Sequence, residues 1–134
     1  MSFRNTQVVG RAYEALNASD IDAALALAAP DVQWIPSEGS PFEGSYRGRE
    51  RVKRFFQEEW VGVFDDLRME VRRLVEAAEG VVVAVVHFTG RGRASGAELA
   101  IDIAHLWRLR DGVVVEVRVY PRPEDALQAA GLQE

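Results

Sequence analysis

The chain contains no cysteine, and this absence removes several kinds of chemistry at once. Disulfide bonds, thiolate metal sites and a cysteine nucleophile are all excluded. An excess of positive charge is also missing, because 21 acidic residues face 16 basic ones and the net charge is −5. A nucleic-acid surface needs a basic field to neutralise phosphates, so we expect no nucleic-acid partner.

The sequence has no long apolar run. Its longest, residues 81–86, is far short of the roughly 18 residues that a bilayer crossing needs. The first residues carry no apolar signal core either. We therefore expect no membrane partner and a cytoplasmic location.

Histidine is scarce, since only His87 and His105 occur. Two histidines on adjacent strands can bind a metal ion, but the sequence pattern offers no third ligand beside them. We therefore expect neither a metal site nor a cofactor.

What the chain does contain is ordinary for a folded protein. Its 134 residues fit one domain, 1–134, and 48% of them are hydrophobic, enough to bury a core without covalent cross-links. Helical patterns come first and strand patterns second. That order predicts an α+β fold rather than alternating strands and helices.

Three helices are predicted in the first half. Residues 3–17 carry an apolar stripe at helical spacing. Ser19 and Asp22 resemble a capping box at the start of a second short helix, which Pro30 ends. Gly48 precedes the third helix. The apolar faces comprise, in chain order, Val9, Ala12, Tyr13 and Leu16; Ile21, Ala24, Leu25 and Ala28; and Val52, Phe55, Phe56 and Trp60.

Strand patterns dominate the rest of the chain. A short strand at 32–35 precedes a loop at 36–45, and a bulge is expected near Leu74 and Val75. Asp111 and Gly112 form the strongest hairpin signal. The predicted strands of the second half are 67–72, 81–89, 99–109 and 113–120, with a polar hairpin loop at 90–96 and a final helix at 124–130.

These elements predict an antiparallel meander of four strands that curls beneath the helices. Curling with incomplete cover leaves a cavity open at one end, and such pockets favour apolar ligands with a few polar anchors. We expect a cone-shaped, curved antiparallel sheet covered by three N-terminal helices, with a short C-terminal helix. The expected partner is a small apolar or polycyclic ligand.

Five segments in this order resemble the nuclear transport factor two-like superfamily, and most closely its SnoaL-like and ketosteroid isomerase-like branch. Together they span nearly the whole chain and carry a signal for the fold rather than for one activity. They are 17–24 (NASDIDAA), 29–34 (APDVQW), 46–52 (YRGRERV), 105–112 (HLWRLRDG) and 120–132 (YPRPEDALQAAGL).

The resemblance implies catalytic positions that this chain matches only in part. Tyr13 lies near the oxyanion-donor tyrosine of ketosteroid isomerases, and His105 near their second oxyanion acid. The general base of those isomerases would fall at about Ile35, so it is missing. SnoaL-like cyclases carry an aspartate where this chain has 117–119 (Val-Arg-Val). The related epoxide hydrolases use an Asp-Arg-Asp relay, of which Asp102 and Arg118 could form a part.

Tyr13, His105 and Asp102 are the candidates for catalysis. Tyr13, on a buried stripe, could donate to a ligand carbonyl or bond to backbone in the core. His105 could act as acid, base or donor, or pack in the sheet. Asp102 faces the opposite way from His105 unless a bulge reverses the phase, in which case Asp102 would be the general base. His87 and His105 are symmetric about residue 96, so a regular hairpin would pair them.

Aromatic residues supply most of the predicted ligand contacts, although residues at such spacing often belong to the core. Trp34 and Phe56 are the best wall candidates, and Trp60 would lie at the rim. Arg118 shares a strand face with Glu116. The alternative to a ligand contact is therefore that Arg118 lies on a charged outer face of the sheet. The predicted ligand-binding residues are Trp34, Tyr46, Phe56, Trp60, His87, Trp107, Arg118 and Tyr120.

Three functions remain open on this sequence. The first is a cofactor-independent enzyme of the isomerase or cyclase type, which moves a proton on an apolar carbonyl compound. The second is a non-catalytic binder of an apolar metabolite. The third is a dimeric assembly module, and a homodimer across the outer sheet face is compatible with all three.

Overall fold

Helices begin the chain and a sheet completes it in the computed structural model, which describes residues 2–36 and 45–132. Helices α1 and α2 precede strands β1 and β2, and α3 continues directly into one turn of π-helix. Four long strands and a last helix follow. The bounds are α1 Ser2–Asn17, α2 Ile21–Leu25, β1 Ala28–Ile35, β2 Tyr46–Arg47, α3 Arg49–Phe55, the π-helical segment Phe56–Val61, β3 Phe64–Ala78, β4 Val81–Gly92, β5 Glu98–Arg110, β6 Val113–Tyr120 and α4 Pro123–Ala129.

The strands form one curved, unclosed sheet in the order β2-β1-β6-β5-β4-β3. The predicted α+β class and the antiparallel meander β3-β4-β5-β6 are confirmed. The sheet is not wholly antiparallel, however, because β1 pairs with β6 in parallel. The two strands can pair in parallel because a long crossover connection, which runs from β2 through β5, separates them in the chain.

The second helix ends earlier than the sequence indicated. It stops at Leu25, and Pro30 lies inside β1 instead of ending the helix. Ala28 pairs with Val114 and Gln33 pairs with Glu116, so the register shifts between Ala28 and Gln33. Proline cannot donate to a neighbouring strand, and such an irregular stretch accommodates it.

The cap of α2 is Asp20 rather than the predicted Ser19. The Asp20 carboxylate accepts a hydrogen bond from the backbone N–H of Ala23 at 3.1 Å. Ser19 instead has a φ of 60°, in the left-handed region, where the chain turns out of α1. Ser19 belongs to the turn that follows α1 and cannot serve as the N-cap, so the N-cap is the next residue, Asp20.

The register of β3 against β4 shifts at three places, between Asp65 and Arg68, Val71 and Arg73, and Glu76 and Ala78, and none falls at Leu74 and Val75, where the bulge was predicted. Val71 pairs with Val86 and Arg73 with Val85, so Arg72 is the extra residue just before the predicted position. An extra residue reverses the alternation of the side chains that follow it. Leu74 therefore lies opposite Ala84, on the inner face of the sheet.

The β4–β5 hairpin has a different centre from the predicted one. His87 lies opposite Asp102, and Ala84 lies opposite His105, so the predicted pairing of the two histidines is wrong. These pairs are symmetric about the bond between residues 94 and 95, because β4 continues through the glycines as far as Gly92.

The core lies between the inner sheet face and helices α1 to α3. Val9, Ala12 and Tyr13 of α1 meet the inward side chains of β4 and β5 there. A smaller apolar cluster lies on the outer face, where Leu127 of α4 packs against the sheet. None of the helices in the described residues combines the length and apolar composition that a bilayer crossing requires.

Candidate functional site

Three polar side chains meet inside this apolar core. Tyr13 points inward from the apolar stripe of α1, while His105 and Trp107 point inward from alternate positions of β5. The Tyr13 hydroxyl lies 2.5 Å from Nδ1 of His105, and Nε1 of Trp107 lies 3.0 Å from the same hydroxyl. All three are buried, and His105 is 0% exposed. We call these residues the polar trio.

The direction of the hydrogen bonds follows from the chemistry of the donors. The indole N–H of Trp107 can only donate, so the Tyr13 oxygen accepts it. Nδ1 of His105 is the one acceptor within hydrogen-bond distance of the Tyr13 O–H among the described residues, so we assign the hydroxyl as the donor of this bond and the neutral ring as its acceptor. The remaining imidazole proton is therefore on Nε2, and this buried atom has no partner among the described residues.

Burial keeps the polar trio uncharged. It lowers the pKa of His105 to about 3, because the charged imidazolium would lose its hydration inside the core. Burial also raises the pKa of Tyr13 far above its usual range, and the hydrogen bond from Trp107 offsets only part of this. At neutral pH His105 is thus a hydrogen-bond donor through Nε2 and a weak base.

An apolar cavity of about 40 Å³ is lined by Trp107 of the trio, whereas Tyr13 and His105 are not among its lining residues. Trp34 and Trp107 form part of its wall, and the ring centroid of His105 lies 5.4 Å from that of Trp34 and 6.4 Å from that of Trp107. Every described residue that lines this cavity is apolar. Its volume is enough for one or two water molecules.

A second cavity of about 20 Å³ lies toward β3. Trp60 and Met69 are part of its wall. Leu16 and Phe56 line both this cavity and the larger one. We call them the first and second cavity, in order of size.

The predicted aromatic residues gather here. The Phe56 ring meets Trp34 edge-on at 4.9 Å and Trp60 at 4.7 Å between centroids. Trp34, Phe56 and Trp107 line the first cavity, and Trp60 lines the second. Tyr46 lies behind them, with its ring 4.6 Å from that of Phe55.

The other predicted site residues lie on the outer face. Asp102 faces away from the polar trio, and its Oδ1 lies 2.8 Å from Nδ1 of His87. Arg118 approaches Glu116 at 3.7 Å, and Tyr120 packs in the outer apolar cluster beside α4. Among the described residues, no group of three or more histidine, aspartate or glutamate side chains is placed to hold a metal ion.

The sequence reasoning missed one inward-facing carboxylate. Glu76 of β3 lies opposite Val82, and its Oε2 accepts from Nδ2 of Asn5 at 3.1 Å and from the N–H of Gly80 at 3.2 Å. Its other oxygen is buried with no partner among the described residues. Only the position of the bulge at Arg72 could have shown that this residue turns inward, and no residue type marks that bulge.

Solved structures share this arrangement of helices and strands. An NTF2-like protein of unknown function from Burkholderia pseudomallei K96243 is 23% identical, with a TM-score of 0.80 over 93% of this chain and 95% of that chain. A candidate SnoaL-like polyketide cyclase from Jannaschia sp. CCS1 is 20% identical, with a TM-score of 0.79 over 99% and 95%. TerC, co-crystallised with polyporic acid, is 21% identical, with a TM-score of 0.79 over 96% and 98%. These likenesses establish the fold.

Sequence comparison identifies the family. No curated protein shows a significant match to the chain. The model of the SnoaL-like domain, by contrast, matches residues 9–117, which include the second half of α1, the first cavity and the polar trio. Because that match covers most of the chain, this protein belongs to the SnoaL-like domain family, and it shares its fold with NTF2-like proteins.

Proposed function

We propose that this chain binds a small apolar compound in its interior and holds one oxygen of that compound on Nε2–H of His105. The observation that carries this proposal is a fully buried donor, unpartnered among the described residues, whose ring packs 5.4 Å from that of Trp34 in the wall of an apolar cavity that His105 itself does not line. An unsatisfied buried polar group costs roughly 1–3 kcal/mol. A ligand oxygen that accepts this hydrogen bond would recover that cost.

The surroundings favour a neutral carbonyl compound. The walls of the first cavity are apolar, and a charged ligand would lose its hydration there without an opposite charge to compensate. Trp34 and Trp107 offer flat faces and edges to an aromatic or polycyclic body, which has to displace part of the wall because the cavity itself holds only about 40 Å³. The co-crystallisation of TerC with polyporic acid supports a role in binding an organic compound for a protein of this fold.

A cofactor-independent isomerase or cyclase is the second candidate. The chain of hydrogen bonds from Trp107 through Tyr13 to His105 favours it, because a donor at the end of such a chain can stabilise negative charge on a carbonyl oxygen. Proton abstraction is less well supported. His105 is a weak base with its Nδ1 already occupied, and Asp102 lies on the other face.

Calorimetry with a matched pair of ligands tests the binding role. We expect wild-type protein to bind 1-tetralone about fivefold more tightly than tetralin, which lacks the carbonyl, as one net hydrogen bond provides. His105→Phe should abolish this preference, because phenylalanine keeps the ring and removes the donor. Asp102→Asn, on the outer face, is the control and should retain it. Equal affinities for the ketone and the hydrocarbon in the wild type would contradict the proposal.

Deuterium exchange distinguishes the enzyme from the binder. In heavy water, a proton-transfer enzyme would replace the hydrogens on the carbon next to the carbonyl of 1-tetralone faster than buffer does. Exchange that His105→Phe slows would favour the enzyme. Binding without exchange above the buffer rate would assign the chain to the binding role alone.

A further inference from the structure

Part of β5 has a neighbouring strand on one side only. Its pairing with β4 extends to Glu98, opposite Arg91, whereas its pairing with β6 reaches no further than Ala104, opposite Tyr120. Beyond that point the chain leaves the sheet for α4. Residues 98–103 therefore have β4 on one side and, within the described ranges 2–36 and 45–132, no strand on the other. We call residues 98–103 the open edge of β5.

The open edge presents backbone groups to a further strand. The N–H of Gly92 donates to the carbonyl of Ala97 at 2.8 Å, and at the other end of the hairpin the N–H of Leu109 donates to Gly80 at 2.7 Å. Odd-numbered residues of β5 are thus the ones bonded to β4. Because the register between the two strands is regular and bonding direction alternates along a strand, even-numbered residues turn their N–H and C=O groups away from β4. Those of the open edge are Glu98, Ala100 and Asp102.

The side chains of the open edge are apolar on one face and acidic on the other. Ile101 is 42% exposed and lies between the half-buried Leu99 and Ile103 on the inner face of the sheet. Glu98 and Asp102 lie on the outer face, where both are exposed. A strand laid along this edge would cover the apolar row and meet two carboxylates.

The other edges of the sheet are protected from such pairing. β2, at one end, has only two residues. β3, at the other end, is irregular, and Asn17 of α1 occupies the backbone groups of Met69. Short strands, bulges, proline and lysine are the usual means by which proteins keep edge strands from associating. The open edge of β5 is regular and contains neither proline nor lysine, which indicates that it is available for binding.

We propose that the open edge of β5 binds an extended peptide segment of another protein, which adds one strand to the sheet. The segment alternates apolar and basic residues. Its apolar side chains pack beside Ile101, and its lysines or arginines lie opposite Glu98 and Asp102. Backbone hydrogen bonds give affinity in complexes of this kind, and side chains at alternate positions give specificity. The site is independent of the interior and of His105.

A second copy of the same edge fits less well. In an antiparallel pair of two such edges, even-numbered residues would be hydrogen-bonded on both sides. Every such register places Glu98 or Asp102 opposite or diagonal to an acidic residue of the other copy, and like charges at these positions destabilise a strand pair.

The carboxylates remain open to a basic segment. Glu98 lies 3.7 Å from Arg91 and Asp102 lies 2.8 Å from His87, both on β4. The Glu98 and Asp102 side chains are largely exposed, and ion pairs on the surface contribute little to stability. Basic residues of an added strand would lie directly beside the two carboxylates, on the side away from β4.

Calorimetry with a synthetic peptide tests the open edge. The probe is an octapeptide of alternating lysine and valine, capped at both ends. Its control is the same peptide with methylated peptide nitrogens, which keeps the charge and loses the backbone donors. We expect the wild type to bind the probe at least about tenfold more tightly than the control. Equal affinities, or no binding of the probe at millimolar concentration, would overturn the proposal.

Two variants test the edge from the side of the protein. Ala100→Pro removes an N–H that points away from β4, a place where strands tolerate proline, and should weaken probe binding at least about tenfold. Asp102→Lys should weaken the lysine probe and favour a peptide of alternating glutamate and valine. Glu14→Lys, the same charge change on the exposed face of α1, is the control and should keep the affinity within about twofold.

Unchanged probe affinity in Ala100→Pro would overturn the proposal. If that variant does not fold, Asp102→Lys carries the same test against Glu14→Lys, and equal affinities in those two variants would overturn it.

Amide hydrogen exchange locates the bound strand in the wild-type chain. The N–H groups of Ala100 and Asp102 should exchange at least about tenfold more slowly with saturating probe, because each gains an acceptor. Protection confined to β2 or β3 would overturn the site. Protection of Ala100 and Asp102 without probe, rising with protein concentration, would assign the edge to a second copy and overturn the peptide partner.

Discussion

Tyr13 holds the interior polar groups together, because its one hydroxyl serves two partners from another element. Its oxygen accepts from Trp107 and its proton goes to His105, so α1 and β5 are joined by hydrogen bonds as well as by packing. That α1 and β5 each turn an apolar face toward the core could be predicted from the spacing of their apolar residues. The hydrogen bonds could not, because they depend on how closely α1 approaches the sheet.

Removal of the Tyr13 hydroxyl should be costly. Tyr13→Phe leaves the Trp107 N–H and Nδ1 of His105 without their partner in a site that water does not reach. We expect the free energy of unfolding to fall by about 3 kcal/mol, measured with urea. Tyr46→Phe is the control, since Tyr46 is half-buried. Similar losses in both variants would mean that the buried hydrogen bonds contribute little.

Acid should destabilise the protein through His105. Its pKa is about 3 in the folded chain and near 6.5 in the ordinary exposed state. Between these values the unfolded chain binds the proton and the folded chain does not, so stability falls as the pH drops below 6.5 and levels off near 3. We expect a loss of roughly 2 kcal/mol from this group between pH 7 and about pH 5.

Urea unfolding at the two pH values checks this expectation. His105→Phe should lose less stability than the wild type over the same interval, because it lacks the buried group. His87→Gln, which keeps His105, should lose about as much as the wild type. A wild-type curve that matches His105→Phe at both pH values would contradict the buried, neutral imidazole.

At the scale of elements, the sequence predicted the order of the helices and strands and the fold class better than it predicted which residues pair across the sheet. The four-stranded meander and the turn at Asp111 and Gly112 were predicted and are present. The bulge at Arg72 and the centre of the β4–β5 hairpin were not. A shift of one residue moves every following side chain to the other face of a sheet. The sequence alone therefore could not show which face of the sheet His87 and Glu76 occupy. The apolar stripe of α1, in contrast, was sufficient to predict that Tyr13 faces the core.

One side chain of α1 makes hydrogen bonds to the backbone at the free edge of β3. The Asn17 carboxamide accepts from the N–H of Met69 at 2.7 Å and donates to its carbonyl at 2.9 Å, as a neighbouring strand would. β3 is the last strand of the sheet, where such backbone groups otherwise lack a strand partner. This contact fixes the end of α1 to the sheet beside the second cavity.

Asn17→Ala should therefore destabilise the chain by about 1–2 kcal/mol, because both hydrogen bonds to β3 are lost. Asn17→Asp keeps the acceptor for the Met69 N–H and should lose less. Urea unfolding measures both values. A loss within about 0.5 kcal/mol, as is usual for surface substitutions, would show that water replaces the carboxamide.

At the scale of the whole molecule, the outer sheet face is only partly covered. Ala126 and Leu127 of α4 pack over Val83, Ala104 and Leu106 in the outer apolar cluster. Beyond that cluster the face carries charges of both signs, among them Glu116 between Arg108 and Arg118. A face with both signs of charge can meet a second copy of itself about a two-fold axis with opposite charges in contact.

We propose that this face forms a homodimer. Sedimentation velocity at micromolar concentrations should give the mass of two chains. Val85→Lys, which adds a charge to the half-buried outer position opposite Ala104, should shift the protein toward the monomer. Arg91→Glu, at the exposed tip of the hairpin, is the control. A wild-type monomer at these concentrations would contradict the dimer.

The parallel pairing of β1 with β6 bears on how the chain folds during synthesis. β1 lies between β2 and β6 in the sheet. β6, its parallel partner, is made near the end of the chain, at Val113–Tyr120. A nascent chain has therefore made α1, α2 and β1 well before the strand that β1 needs has left the ribosome. Pairings between such distant segments form slowly and leave apolar surface exposed in the interval. The edge of β1 that faces β6 should accordingly stay unpaired until the last strand has been made.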